Sequence, residues 1–156
     1  MKIALFKPSS ILDRIICFFS RGKYSHAAII LDDGSVIEAK PFHGVRKVKS
    51  IYDVLDSKES VEVFAVDITT EQTEMVERFL HEQVGKKYDY WMVFGFVIYT
   101  DEESRKSRNK WFCSELLFMA FLKAGVELLC RIDPWKVSPT MLSYSPIAKL
   151  EYSIQK

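Results

Sequence analysis

The sequence predicts an α+β fold in which a small antiparallel sheet packs against a buried helix that carries a cysteine. Two β-rich runs flank the loop Asp32-Asp33-Gly34 and predict a β-hairpin. The run from Leu116 to Leu122 is apolar on every side, which predicts a helix that is buried all round and begins near Cys113. A chain of 156 residues buries roughly two-thirds of its unfolded surface, so one domain spanning residues 1–156 is expected.

The first elements are a strand near Lys2 to Phe6 and a helix from Ser10, whose apolar residues share one face. Ser10 and Asp13 are suited to cap the start of that helix. After the hairpin, an extended piece at 45–48 and a strand at 61–68 complete the predicted sheet together with the first strand.

A second helix is predicted from Thr70 to Val84, with Thr70 as its N-cap, acidic residues in the first turn and Gly85 at its end. Gly125 is predicted to stop the cysteine helix. The tail that follows is punctuated by proline, which predicts irregular structure, and it closes with an edge strand at 150–154.

Charge and composition exclude several classes of function. The 22 basic and 21 acidic residues nearly balance, and no basic stripe is interleaved with exposed aromatics, so nucleic acid is not an expected partner. Cys17, Cys113 and Cys130 form no paired framework, and the three separated histidines have no metal-ligand spacing, so neither a metal nor another cofactor is expected. His43 and His81 are predicted to lie at the surface.

The amino terminus carries Lys7 and Pro8 before any secretory apolar region forms, so no signal peptide is expected. The apolar runs are too short or too interrupted by charge to span a bilayer. These features predict a chain that acts in the cytoplasm of a bacterium or of a phage-infected cell.

Cys113 stands where the predicted helix begins. Free N–H groups and the positive end of the helix dipole stabilise an anion at that position, which favours the nucleophilic thiolate form of a cysteine. The alternative is that Cys113 is a small, inert core residue, since cysteine is often buried for packing alone.

The hairpin carries a histidine and a glutamate whose relation depends on the turn. If a three-residue loop pairs Leu31 with Ser35, Ala28 faces Glu38 and His26 lies diagonal to Glu38 on the same face. A two-residue loop would instead place Glu38 on the opposite face, and the sequence leaves both registers open. Nucleophilic catalysis by cysteine needs a base and a group that orients the base, and Cys113, His26 and Glu38 are candidates for these roles.

Local motifs strengthen this set. Tyr24 to Leu31, followed by Gly34 to Ala39, resembles the histidine hairpin of the NlpC-like, papain-fold cysteine hydrolases. Gly85 to Asp89 resembles the glycine-x-x-tyrosine element of that superfamily, and Phe112 to Leu116 resembles its cysteine helix. Histidine precedes cysteine here, which resembles the circularly permuted YiiX-like branch, similar in layout to lecithin:retinol acyltransferase-like proteins.

The resemblance implies Cys113 as nucleophile, His26 as general base and Glu38 as the orienting residue. It also places the Tyr88 hydroxyl near the thiol, where Tyr88 and the Cys113 backbone N–H would bind a developing oxyanion; a packed aromatic is the alternative for Tyr88. Asp89 is a rival carboxylate, more simply interpreted as a turn or surface residue.

The expected function is a cysteine hydrolase, an amidase or peptidase, that acts through an acyl-enzyme on a peptide or cell-wall peptide. A thioesterase or lipid acyltransferase with the same triad and a catalytically silent peptide- or protein-binding module are the alternatives. The aromatic segment 88–99 is a candidate wall for an acyl or side-chain groove, and 101–110 is either a solvated loop or a lid. The oligomeric state is not readable from the sequence.

Overall fold

The computed structural model describes residues 1–10, 13–14, 17–18, 21–55, 60–90 and 109–155. The segment 91–99 lies outside these residues. Much of the helix predicted from Ser10 and most of the predicted lid at 101–110 also lie outside them. The described strands are β1 (Lys2–Phe6), β2 (His26–Ile30), β3 (Val36–Lys40), β4 (Gly44–Val48), β5 (Ser60–Val66), β6 (Lys87–Tyr88), β7 (Lys110–Trp111) and β8 (Ala148–Gln155). The described helices are α1 (Thr70–Gln83), α2 (Cys113–Lys123) and α3 (Pro139–Leu142), with short 3-10 helices at Ile51–Asp53 and Pro134–Lys136.

A six-stranded antiparallel sheet forms the centre of the fold, in the order β4-β3-β2-β1-β5-β8. β1 lies between β2 and β5, so the first strand of the chain joins the hairpin to the later strands. The α+β prediction and the antiparallel sheet are confirmed, and the predicted edge strand is β8, which is longer than the predicted 150–154. The tail between α2 and β8 is more regular than expected, because Ser138 caps α3 by accepting a hydrogen bond from the Met141 N–H.

Both faces of the central strands are covered by apolar side chains. Ile3 and Leu5 of β1 belong to a cluster that includes residues of α1 and α2, whereas Ala4 and Phe6 belong to a second cluster built around the 3-10 helix at Ile51–Asp53. α2 is buried on nearly every side, as its sequence predicts, although Leu122 near its end is 41% exposed. Among the described residues, no helix combines the length and the apolar character needed to cross a membrane.

The N-cap of α1 is Thr69, so the prediction of Thr70 is wrong by one residue. The Thr69 hydroxyl accepts a hydrogen bond from the Gln72 N–H, and the Gln72 side chain accepts one from the Thr69 N–H. This reciprocal capping box needs Thr and Gln three residues apart, and that spacing begins at Thr69. The helix ends at Gln83, one residue before the predicted end at Val84. Val84 itself is 41% exposed.

The start of β4 is hydrogen-bonded to the segment that follows α1. The Val45 N–H donates to the Lys86 carbonyl at 2.8 Å, and the Gly85 N–H donates to the Val45 carbonyl at 2.8 Å. Gly44 has φ +70°, and a Cβ at this position would lie 2.3 Å from the Lys86 oxygen. Glycine is therefore required at position 44 both by backbone conformation and by the close approach of the two segments.

The Gly44→Ala variant is expected to lower the free energy of unfolding by roughly 3 kcal/mol, because it adds a backbone collision to a left-handed conformation. Gly125→Ala is the matched control, since Gly125 has φ +72° but nothing within 4 Å of an added Cβ. That control is expected to cost about 1 to 2 kcal/mol. Urea unfolding of both variants measures the difference, and equal losses would show that the approach of Lys86 imposes no constraint.

Candidate active site

His26 is the first residue of β2 and is held there by the neighbouring strand. The β1–β2 register places His26 opposite Phe6, and their ring centroids lie 5.2 Å apart. The Ser25 N–H donates to the Phe6 carbonyl at 2.9 Å, which extends the pairing to the residue before the histidine. The His26 side chain is only 14% exposed, so its position and orientation are restricted by packing.

The segment that leads into β2 is anchored by a polar cluster that the sequence analysis did not identify. The Tyr24 N–H donates to the Thr140 hydroxyl at 2.9 Å, and the Tyr24 hydroxyl donates to the Glu62 carboxylate. Lys7 and Lys23 also contact Glu62, at 2.7 and 3.0 Å. The hydrogen bond from Lys7, followed by that from Tyr24, lowers the pKa of Glu62 to about 2. These contacts connect the start of β2 to β5 and α3.

Glu38 lies on β3 in the register that the three-residue loop predicts. The Leu31 N–H donates to the Ser35 carbonyl at 2.8 Å, and Ala28 is paired with Glu38. Gly34 has φ +81°, the left-handed conformation that this turn needs. The structure thus selects one of the two registers that the sequence left open.

That register brings the histidine and the carboxylate into contact. His26 Nε2 lies 2.6 Å from Glu38 Oε2, and the Glu38 side chain is completely buried. With Nε2 bound to the carboxylate, Nδ1 is the ring nitrogen that remains for another partner. Glu38 therefore fixes both the orientation of the ring and the nitrogen that faces away from the carboxylate.

Arg46 holds the other oxygen of Glu38, a contact that the sequence analysis missed. Arg46 Nε donates to Glu38 Oε1 at 2.8 Å, and Arg46 Nη2 lies 2.6 Å from the same oxygen. The two residues are direct cross-strand partners in the β3–β4 register. The sequence contained a signal for this contact, because a short β3–β4 turn would place a residue of the predicted extended piece 45–48 opposite Glu38.

The electrostatics of Glu38 follow from these two partners. Burial disfavours the charged carboxylate, but hydrogen bonds and positive charge from His26 and then from Arg46 outweigh it and lower the pKa of Glu38 to about 2. Glu38 is thus ionised at neutral pH. Its contribution to stability is present above pH 4.5, the ordinary value for the group, and is lost as the pH falls through about 2.

Cys113 is the first residue of α2, directly after β7. The N-cap is Phe112, whose side chain makes no capping hydrogen bond to the first turn. The neighbouring Ser114 hydroxyl donates to the Val137 carbonyl at 2.7 Å and ties this turn to the tail. Cys113 is 6% exposed, and its place at the helix start agrees with the sequence prediction.

The side chain of Cys113 forms a hydrogen bond with the ring of His26. Burial disfavours the imidazolium, but the charge and hydrogen bond of Cys113, followed by the hydrogen bond and charge of Glu38, outweigh it and raise the pKa of His26 to about 10. His26 is therefore protonated at neutral pH. The resulting contribution to stability is complete below pH 6.5 and is lost as the pH rises through about 10.

Tyr88 is brought beside Cys113 by a short parallel pairing of β6 with β7, in which Tyr88 is paired with Trp111. Tyr88 is 6% exposed. Burial and then the charge of Cys113 raise the pKa of Tyr88 well above its ordinary value. The hydroxyl consequently stays protonated at neutral pH and is able to donate a hydrogen bond.

Asp89 is buried, so its interpretation as a surface residue is wrong. Its backbone N–H donates to the Trp111 carbonyl at 3.0 Å, and only 4% of the residue is exposed. The pairing of β6 with β7 draws Asp89 into the interior. Glu38 is the carboxylate bonded to the His26 ring.

The remaining candidates lie apart from this group. His43 and His81 are exposed, as predicted, and Cys130 is also exposed. Within the described ranges, no three His, Cys, Asp or Glu side chains are placed to hold a metal ion. The site brings together a thiol at a helix start, an imidazole that carries a proton, a carboxylate bonded to that imidazole, and a tyrosine hydroxyl.

Comparisons with known proteins bear on this arrangement. A family model described as a permuted papain-like amidase enzyme, YaeF/YiiX, matches residues 5–131. The crystal structure of the metalloprotein YiiX from Escherichia coli O157:H7 is similar, with a TM-score of 0.71 and 16% sequence identity over 99% of this chain and 97% of that one. No protein with a curated description matches the sequence. The structural likeness shows a shared fold, and it agrees with the permuted, papain-like fold that the motif order implied.

Proposed function

Because the chain belongs to the permuted papain-like amidase family, YaeF/YiiX, we propose that it is a cysteine hydrolase that cleaves an amide through an acyl-enzyme. The observation that carries this proposal is the position of His26, whose ring lies between Glu38, 2.6 Å from Nε2, and Cys113 at the start of α2. In this proposal Cys113 is the nucleophile, His26 is the acid and base, and Glu38 orients His26.

The first half of the reaction forms a thioester. The Cys113 sulfur attacks the amide carbonyl carbon, and the carbonyl electron pair moves onto oxygen. When the C–N bond breaks, the His26 imidazolium gives its proton to the leaving amine. The second half reverses these roles: neutral His26 takes a proton from water, the hydroxide attacks the thioester, and the Cys113 thiolate leaves as the carboxylic acid product forms.

Two donors are available for the oxyanion of each tetrahedral intermediate. One is the Cys113 backbone N–H at the start of α2, since the first N–H groups of a helix have no carbonyl partner within the helix. The other is the Tyr88 hydroxyl, which stays protonated because the pKa of Tyr88 is raised. Preorganised donors of this kind stabilise developing negative charge without the reorganisation that water requires.

The substrate class is the finer part of the proposal. A peptide or cell-wall peptide amide is the first candidate, and a thioester or lipid ester would be cleaved by the same residues, since the nucleophile does not select the acyl group. The free thiols of Cys113 and Cys130 support a reducing compartment, the cytoplasm, as the place of action.

An acylation experiment tests the proposal. The protein is incubated separately with p-nitrophenyl acetate, acetyl-coenzyme A and a panel of N-acetyl amino-acid amides, and the acylated peptides are identified by mass spectrometry. The expected result is acylation at Cys113, with Cys130 as the internal reference thiol, and the reagent class with the largest ratio of the Cys113 rate to the Cys130 rate identifies the bond type. A folded protein that acylates Cys113 no faster than Cys130 with every reagent would identify a silent binding module instead.

A further inference from the structure

Three aromatic side chains form a continuous row from the candidate nucleophile to the surface. Tyr88 is paired with Trp111, two residues before Cys113, and its ring centroid is 5.2 Å from that of Tyr90 in an edge-to-face arrangement. The Tyr90 ring in turn lies 5.7 Å from Phe42. Exposure rises along the row, from 6% at Tyr88 to 42% at Tyr90 and 86% at Phe42.

Phe42, at the outer end of the row, has an unfavourable backbone conformation. Phe42 has φ +66°, a left-handed conformation that is rare for a bulky residue. The Tyr90 hydroxyl accepts a hydrogen bond from the Phe42 N–H at 2.5 Å, so the second member of the row holds the backbone of the third. Folding gains little from burying a phenylalanine that is 86% exposed, yet the chain maintains a strained backbone to present it.

The two segments that carry the row are also joined to each other. Phe42 lies in the turn directly before β4, and β4 is bonded to the Gly85–Lys86 segment through Val45. Tyr88 and Tyr90 follow that segment directly. Glu38 lies on β3, which leads directly into this turn, so the row and the orienting carboxylate are carried by adjoining segments.

We propose that Tyr88, Tyr90 and Phe42 form a binding wall for an apolar group on the acyl side of the substrate of Cys113. This inference rests on the proposed function, because it assigns the row to the substrate of the same nucleophile. The occupant is either an aromatic amino-acid side chain or a fatty acyl chain, which share the apolar surface that stacked tyrosine and phenylalanine rings recognise.

The kinetic test uses matched pairs of acyl donors with one leaving group. Octanoyl and acetyl p-nitrophenyl esters form one pair, and the p-nitrophenyl esters of N-acetylphenylalanine and N-acetylglycine form the other. The wild type is expected to prefer the apolar member of one pair, and Phe42→Ala is expected to reduce that preference in kcat/KM by about tenfold. The pair that responds identifies a fatty acyl chain or an aromatic side chain as the occupant.

Two controls separate recognition from general damage. Phe42→Tyr keeps the ring and is expected to retain the wild-type preference. Tyr52→Ala removes a different exposed aromatic, 61% exposed in the 3-10 helix at Ile51–Asp53, and is expected to leave both ratios unchanged.

A binding measurement tests the inference without requiring turnover. In the Cys113→Ala background, calorimetry measures the affinity for octanoate and for N-acetylphenylalanine, and addition of Phe42→Ala is expected to weaken one of them by about tenfold. Unchanged ratios together with unchanged affinities would overturn the inference even if Cys113 is acylated. Absence of acylation with a Phe42-dependent affinity would instead support the wall and reject the hydrolase.

Discussion

The His26→Ala variant is expected to hydrolyse the amide that best acylates Cys113 on the order of 10⁴-fold more slowly than the wild type. The loss combines two effects. The variant lacks the imidazolium that protonates the leaving amine, and it lacks the positive charge that faces the Cys113 sulfur. The coupling of His26 to Cys113, which contributes to raising the pKa of His26 to about 10, is the structural reason for both.

Alkylation by iodoacetamide separates the second effect from turnover. A free thiol titrates near pH 8.5, so at pH 6 under about 1% of it is thiolate. In the wild type, Cys113 is expected to react at pH 6 at least about tenfold faster than the exposed Cys130, and His26→Ala is expected to remove that advantage. Peptide mass spectrometry from pH 5 to 9 gives the rate at each cysteine.

His81→Ala is the matched control, because it removes an exposed histidine in the last turn of α1. Its alkylation profile and its hydrolysis rate should match those of the wild type. A wild-type Cys113 that follows the profile of Cys130 at every pH would show that no thiolate–imidazolium pair exists, and the hydrolase proposal would lose its chemical basis.

The Glu38→Gln variant is expected to lower the free energy of unfolding at pH 7 by about 3 to 5 kcal/mol, because it leaves two cations without their shared carboxylate. His26 Nε2 and Arg46 both contact the completely buried Glu38 side chain, within 2.6 to 2.8 Å. Glutamine has nearly the same shape, so the loss reports charge and hydrogen bonding rather than a cavity. The variant is also expected to hydrolyse more slowly, since the ring loses its orienting partner.

The pH dependence of this loss is specific to Glu38. The pKa of Glu38 lies at about 2 in the folded chain and near 4.5 when unperturbed. The difference between wild type and Glu38→Gln should therefore be complete above pH 4.5 and shrink as the pH falls towards 2. Denaturant unfolding at pH 7 and pH 2.5 measures it. Glu151→Gln, at an exposed pair with Lys2, is the control and is expected to change stability by under about 1 kcal/mol.

Arg46→Met extends the test to a double-mutant cycle. Arg46→Met is expected to lower the free energy of unfolding less in the Glu38→Gln background than in the wild type, because the charge partner of Arg46 is already absent. Additive losses would contradict the ion pair between Arg46 and Glu38. A loss for Glu38→Gln that persists unchanged at pH 2.5 would contradict an ionised Glu38.

Local patterns in the sequence were sufficient for much of the fold. Strand β1, the hairpin, α1, α2 and the edge strand each have a periodicity, a turn or a stop signal of their own, and each lies close to its predicted bounds. The misplaced N-cap at Thr69 is a local error, because Thr69 and Thr70 are equivalent until the reciprocal bond with Gln72 is considered. The proximity of His26 to Glu38 could also be predicted from local sequence, since a short turn determines which residues face each other.

What the sequence by itself determined, then, is most of the elements whose signals lie within a few residues, together with the residue types suited to thiol chemistry. The tertiary structure decided which distant groups meet: Asp89 in the interior, Phe42 against Tyr90, and Tyr88 beside Cys113, which the sequence implied only through a family resemblance. These contacts join segments that lie far apart in the sequence, and neither partner carries a local signal of the other. The physical reason is that burial and packing, which have no fixed spacing along the chain, select these pairs.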